Sequence, residues 1–142
     1  MNKFLIATHG SVASGILSTL KIIVGKVDNL SYVDAFTEGT DLHKDIKNFI
    51  NSVDTNDTGI IFTDLKGGSV NQQAFKMMNV SKKENLFVIT GFNLPILLSL
   101  VLESKQITRE DIIGKIQEAK EQIEFLEIEQ RDFIKANDTF FD

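Results

Sequence analysis

The stretch Lys3–Ser11, which reads KFLIATHGS, decides how the rest of the chain is interpreted. An apolar run ends at His9, Gly10 follows, and an amphipathic helical pattern begins soon afterwards. The run predicts a buried strand over about 3–8, with His9 in the turn that leads into a helix. In an open α/β sheet, ligands bind outside the carboxyl ends of the strands. A histidine at that position can transfer a proton, bind a metal or act as a nucleophile.

Short apolar runs alternate with helical patterns along the rest of the chain, which is typical of βαβ units and a parallel sheet. Further strands are predicted over about 30–36, 59–63 and 86–90, and the third helix over about 70–78. The residue types predict helix caps at four positions, namely Gly25, Asp41, Asn93 and Thr108. We therefore predict an α/β fold with an open, mostly parallel, doubly wound sheet of order 2-1-3-4 and helices on both faces.

The C-terminal part of the chain allows two interpretations. Residues 122–130 can extend the last helix, or Ile123, Phe125 and Ile128 can belong to a short edge strand, because both templates fit a short apolar run. We predict one domain over 1–130 and a separate tail over 131–142. Four apolar residues of the tail favour packing on a partner or a second subunit: Phe133, Ile134, Phe140 and Phe141.

Composition excludes several classes of function. The net charge is −5 and no basic block is present, so we expect no nucleic-acid partner. The chain has no cysteine and only two histidines, which excludes a thiolate or multi-histidine metal site, and we expect neither a metal nor another cofactor. Neither a signal peptide nor a membrane-spanning run is recognised, so we expect a cytoplasmic protein.

Polar residues follow neighbouring strands of the predicted sheet. His9 follows the first strand and Asp64 the third, which meet at the topological switch point if the order is 2-1-3-4. A carboxylate that binds one imidazole nitrogen leaves the other free as a nucleophile. Amides at the starts of the first and third helices suit an anion, above all phosphate. We predict His9 and Asp64 as catalytic residues, and the following as phosphate-binding residues: Gly10, Ser11, Gly67, Gly68 and Ser69.

Each of these signals also has a structural interpretation. A lone histidine is commonly structural, Asp64 can cap a turn, and two glycines can form only a tight turn. Their coincidence at adjacent strand ends favours function, whereas His43 is predicted on the surface. Two other functions remain open: a flavodoxin-like module that binds a phosphate-bearing ligand, and a serine hydrolase that uses Ser69 or Ser11 with His9 and Asp64. The hydrolase lacks a G-x-S-x-G elbow.

Three motifs together resemble the enzyme IIA component of the mannose-type (mannose/fructose/sorbose) bacterial sugar phosphotransferase system. The first is Thr8-His9-Gly10 with Ala13 and Gly15, the second is DLKGGS over 64–69, and the third is GFNLP over 91–95. They stand in the order found in the family, and the resemblance extends to about residue 128. The chain departs from the best-known members at Lys66 and Val70, where those members carry an aromatic residue and a proline.

The resemblance implies a phosphoryl carrier that works without a cofactor. HPr would phosphorylate His9, and a separate IIB component would accept the phosphoryl group for sugar uptake through the membrane components IIC and IID. Asp64 would orient His9, with Ser69 nearby. The family forms homodimers that exchange an antiparallel fifth strand, which favours a strand over 123–128 and places the tail near the interface. The phosphotransfer subunit of dihydroxyacetone kinase is the alternative within this fold, although Gly10 favours the sugar system.

Overall fold

A computed structural model describes residues 1–128 as alternating strands and helices. Its first six elements are β1 (Asn2–His9), α1 (Val12–Val24), β2 (Leu30–Ala35), α2 (Leu42–Ser52), β3 (Thr58–Thr63) and α3 (Ser69–Ser81). The last three are β4 (Leu86–Thr90), α4 (Leu94–Val101) and α5 (Arg109–Lys120). The predicted βαβ pattern is confirmed.

The four strands form one parallel sheet of order β2-β1-β3-β4, as predicted. The pairing register places His9 of β1 beside Ala35 of β2, and Ala7 beside Thr63 of β3. The carboxyl ends of these three strands therefore lie at one edge of the sheet. This edge contains the switch point between β1 and β3, because the chain leaves these two adjacent strands on opposite sides.

Alternating side chains of β1 enter two separate hydrophobic clusters. Phe4 and Ile6 pack in the cluster that holds the buried faces of α1, α4 and α5. Leu5 and Ala7 pack in the cluster that holds α2 and α3. Successive side chains of a strand point to opposite faces. His9 therefore lies on the same face of the sheet as Leu5 and Ala7, which is the face covered by α2 and α3.

The predicted helix caps are confirmed. The Asp41 and Asn93 side chains accept hydrogen bonds from amides in the first turns of α2 and α4, and Thr108 forms a capping box with Asp111. Gly25 ends α1 with φ of 79°. The third helix was predicted over about 70–78. In the structure α3 is longer, since it begins at Ser69 and ends at Ser81.

The end of α5 contradicts the interpretation that residues 122–130 extend the last helix. The helix ends at Lys120, so the described part of 122–130 does not extend it. Residues 123–128 form neither helix nor strand in the single chain, and the exchange of a fifth strand stays a prediction. The predicted tail over 131–142 lies outside the described residues. Within residues 1–128, none of the helices is both long enough and apolar enough to cross a lipid bilayer.

Candidate active site

His9 is the last residue of β1 rather than part of the following turn. The strand continues this far because His9 pairs with Ala35 and the Gly10 amide donates to the Ala35 carbonyl at 2.9 Å. The turn then begins at Gly10, whose φ of 57° lies in the left-handed region that glycine tolerates. The histidine side chain is 40% exposed, so it is held by the sheet and open to solvent at once.

Asp64 holds His9 at two points, as predicted from their places at adjacent strand ends. Its Oδ2 accepts a hydrogen bond from the His9 backbone amide at 2.8 Å and lies 2.9 Å from His9 Nδ1. Its Oδ1 accepts from the Leu65 amide at 2.9 Å. An ionised carboxylate only accepts hydrogen bonds, so Nδ1 carries the proton. The Nε2 atom of the neutral ring therefore carries the lone pair.

The environment of Asp64 keeps its carboxyl group ionised. Partial burial by itself would raise the pKa, but the hydrogen bonds from the His9 amide, the His9 ring and the Leu65 amide outweigh it. The net effect is a pKa of Asp64 below its ordinary value. At neutral pH the His9 ring thus has a negatively charged partner at Nδ1.

Ser69 lies at the other ring nitrogen. The Ser69 Oγ atom is 3.2 Å from His9 Nε2. Because Nε2 has no proton in this tautomer, the Ser69 hydroxyl donates the hydrogen bond and Nε2 accepts it. Ser69 is also the first residue of α3, after Gly68 with no side-chain cap. Within residues 1–128, the amides of Ser69, Val70 and Asn71 have no hydrogen-bond acceptor. The start of α3 therefore offers unused donors beside the imidazole.

The predicted phosphate-binding glycines have their amides engaged within the chain, and their assignment to phosphate stays a prediction. The amides of Gly10, Gly67 and Gly68 already donate to the Ala35 carbonyl, the Asn71 side chain and the Leu65 carbonyl, respectively. Gly67 has φ of 76°, and a Cβ atom on Gly68 would lie 3.5 Å from His9 Cε1. These glycines allow the loop after β3 to turn and to approach the ring closely.

At the start of α1, two amides already have side-chain acceptors. The amides of Ala13 and Ser14 are capped by the side chains of Thr8 and Asp34, at 2.8 and 3.0 Å. The Ser11 side chain is exposed and makes no hydrogen bond within the described 128 residues. At the start of α3, Ser69 forms a side-chain contact with the ring, and the assignment of Gly10 and Ser11 to phosphate stays a prediction.

Phe36 is a site residue that sequence reasoning left without a role. Its ring centroid lies 5.4 Å from that of His9, with an angle of 39° between the planes. Phe36 directly follows β2, and this position at a third strand end was the only available signal. His43, by contrast, is exposed on α2 as predicted, and no hydrogen bond joins it to His9 within residues 1–128.

The chain Asp64–His9–Ser69 has the hydrogen-bond order of a hydrolase triad. The local backbone does not match, because Gly68 has φ of −69° and Ser69 opens a regular helix, whereas a nucleophile elbow is strained. Instead, the arrangement leaves a lone pair on Nε2 of a partly exposed ring, with an anionic partner at Nδ1 and hydrogen-bond donors near Nε2, which is a geometry able to support nucleophilic attack. Among residues 1–128, no group of three or more His, Cys, Asp or Glu side chains is placed to hold a metal ion.

One family model matches most of the chain. Residues 3–117 match the model of a family described as PTS system fructose IIA component. The match covers both His9 and the loop that carries Asp64 and Ser69.

Solved structures of similar fold cover nearly the same part of the chain. A IIA protein associated with the fucose utilization operon of Streptococcus pneumoniae is 26% identical, with a TM-score of 0.68, over 87% of this chain and 92% of that one. A phosphotransferase system component EIIA from Streptococcus agalactiae is 24% identical, with a TM-score of 0.77, over 88% and 97%. A mannose/sorbose specific IIA subunit from Enterococcus faecalis is 20% identical, with a TM-score of 0.75, over 91% and 97%. The last two likenesses concern the fold alone.

Proposed function

The chain belongs to the family of PTS system fructose IIA components, and we propose that it carries a phosphoryl group on His9 between HPr and a IIB component. Membership of the family makes it a component of the bacterial phosphotransferase system with a role in phosphotransfer. The specific donor, acceptor and phosphorylated atom are the parts that we propose. We place the transfer in the cytoplasm.

The observation that carries the proposal is that the two nitrogens of the His9 ring have different hydrogen-bond partners. Nδ1 donates to Asp64 Oδ2 at 2.9 Å, and Nε2 keeps a lone pair 3.2 Å from Ser69 Oγ. A ring held in this tautomer is ready to attack phosphorus through Nε2, and no proton has to be removed first. Its exposure of 40% leaves room for the reactive atom of a partner protein.

The transfer can be written as an in-line displacement. His9 Nε2 attacks the phosphorus of phosphohistidine in the donor, the new N–P bond forms as the old one breaks, and the electron pair returns to the donor imidazole. The His9 ring becomes positively charged, and Asp64 stabilises that charge through the Nδ1 proton. The unused amides at the start of α3 and the Ser69 hydroxyl are the donors that we assign to the phosphoryl oxygens. Transfer to the acceptor repeats the same step in reverse.

The segment after α5 supports a homodimer as part of this proposal. Four apolar side chains of 123–128 are between 75% and 83% exposed in the single chain: Ile123, Phe125, Leu126 and Ile128. A run of exposed apolar residues of this kind marks an interaction surface. Sedimentation equilibrium of the full chain tests this point, because a monomer at all concentrations would contradict it.

The direct test of the proposal is phosphorylation by the purified donor system. The protein is incubated with phosphoenolpyruvate, enzyme I and HPr, and its intact mass is measured before and after mild acid. We expect one acid-labile phosphoryl group that His9→Ala abolishes. The matched control is His43→Ala, which removes the other histidine from an exposed helix position and should leave phosphorylation unchanged.

The acceptor is tested with the phosphorylated protein. We expect loss of the phosphoryl group on addition of a IIB protein and no loss on addition of a dihydroxyacetone kinase subunit. The opposite result would assign the chain to the kinase system. Absence of any phosphorylation with active enzyme I and HPr would refute the carrier function itself.

A further inference from the structure

Phe36 has an unusual backbone for its residue type. Its φ is 64°, in the left-handed region that residues with a Cβ atom rarely adopt, and its side chain is 67% exposed. A large apolar side chain that is both strained and exposed does not stabilise the hydrophobic core. Strained residues that persist in a fold are concentrated at functional sites.

The positive φ changes the side of the sheet to which Phe36 points. Ala35 belongs to the cluster of Leu5 and Ala7, on the same face of the sheet as His9. A regular extended backbone would place the next residue, Phe36, on the opposite face. The left-handed turn breaks this alternation and brings the phenyl ring to 5.4 Å from the His9 ring.

Phe36 adds an aromatic contact to the polar contacts of the imidazole. Nδ1 donates a hydrogen bond to Asp64, Nε2 accepts one from Ser69, and Gly68 lies beside Cε1. These contacts follow the edge of the ring. The phenyl ring adds a tilted aromatic contact, with 39° between the planes, which opposes rotation of the imidazole out of this arrangement.

We infer that Phe36 is a positioning residue that holds the His9 imidazole for attack and stabilises the ring once it is phosphorylated. This inference rests on the proposed role of His9. Phosphorylation at Nε2 with the proton kept on Nδ1 makes the ring a cation. An aromatic ring at this centroid distance attracts a cation, and the contact is stronger for the phosphorylated form than for the neutral one.

The test uses a small phosphoryl donor, so that no partner protein has to dock. His9 Nε2 attacks the phosphorus of phosphoramidate that is protonated on its nitrogen, the N–P bond to the ring forms, and the donor's P–N bond breaks so that the leaving group departs as ammonia with that proton. Intact mass measures the rate of phosphorylation, and dilution into buffer without the donor measures the lifetime of the phosphohistidine. Both quantities are compared between the wild-type protein and variants of Phe36.

Phe36→Leu keeps an apolar side chain and the Cβ atom but removes the aromatic face. We expect phosphorylation to slow and the phosphohistidine lifetime to shorten, each by about threefold to tenfold, from the loss of one aromatic and cation–π contact. Phe36→Tyr keeps the ring and should stay within about twofold of the wild-type protein. The matched control is Phe75→Leu, at a 53% exposed phenylalanine on α3, which should change neither quantity.

Phe36→Gly separates function from folding. Glycine adopts the left-handed conformation without strain, so we expect a urea midpoint at or above that of the wild-type protein, together with the slow phosphorylation of Phe36→Leu. A lower midpoint would show that Phe36 stabilises the fold, and would overturn the inference. Equal rates and lifetimes in Phe36→Leu and the wild-type protein would overturn it as well. Failure of the wild-type protein to accept phosphate at His9 would instead refute the proposed function.

Discussion

Replacement of Asp64 by asparagine tests how the site activates His9. The carboxylate accepts three hydrogen bonds, two at Oδ2 from His9 and one at Oδ1 from the Leu65 amide. Asparagine has a single acceptor oxygen, so in either orientation its NH₂ group faces an N–H donor. The variant therefore loses the negative charge behind the ring and leaves at least one polar contact mismatched.

The expected magnitude follows from the contact that acts during the reaction. A hydrogen bond to a charged group contributes about 1.5–3 kcal/mol, and this is the part of the interaction that strengthens as the ring becomes cationic. At 1.36 kcal/mol for each factor of ten, the rate of His9 phosphorylation should fall by about tenfold to 150-fold. The mismatched donor should also lower the free energy of unfolding by about 1–3 kcal/mol.

The assay measures the rate of phosphorylation from HPr by quenched intact mass, with urea unfolding of the same preparations. Asp41→Asn is the matched control, because Asp41 accepts one hydrogen bond, from the Lys44 amide at 3.1 Å, and asparagine caps a helix equally well. We expect no change in the control. A rate for Asp64→Asn within threefold of the wild-type protein would falsify the assignment of Asp64 as the residue that activates the ring.

Two further predictions concern the fold. A Cβ atom on Gly59 would lie 2.7 Å from a methyl carbon of buried Leu86, so Gly59→Ala should lower the free energy of unfolding by about 1–3 kcal/mol in urea. Gly114→Ala, in α5 with open space around it, should instead raise it by about 0.5–1 kcal/mol, and equal effects would contradict the packing argument. The hydrogen bond from the Asp54 amide lowers the pKa of Asp57, so its stabilising effect is present above the unfolded-state pKa of about 4 and is lost as the pH falls through the lower folded-state pKa. Urea unfolding between pH 7 and pH 2 should show this loss for the wild-type protein and a shallower acid dependence for Asp57→Asn, and identical pH profiles would contradict it.

Local sequence signals predicted the elements because each signal acts over a few residues. The apolar runs, the caps at Asp41, Asn93 and Thr108, and the terminal Gly25 all operate within one turn or one strand. The sheet order followed from the rules for βαβ connections. The pair of His9 and Asp64 followed in turn, because adjacent parallel strands end at the same edge.

The amides of the glycine loops could not be assigned in the same way. A glycine before a helix predicts an available N–H group, but its availability depends on which carbonyl or side chain lies opposite. Gly10 donates to Ala35 on β2, a contact between residues far apart in the sequence. Within residues 1–128, the amides of Ser69, Val70 and Asn71 at the start of α3 have no acceptor, and Ser69 also contacts the ring.

The residue types along the chain determined the α/β class, the strand order and the pairing of His9 with Asp64, because hydrophobic periodicity and turn chemistry are properties of neighbouring residues. The folded chain decided which carbonyl accepts from the Gly10 amide, that Asp34 caps the Ser14 amide of α1, and that Phe36 turns toward His9 with φ of 64°. These features depend on hydrogen bonds and packing between elements distant in the sequence. No local pattern encodes them, because each depends on the position of a partner that the fold brings near.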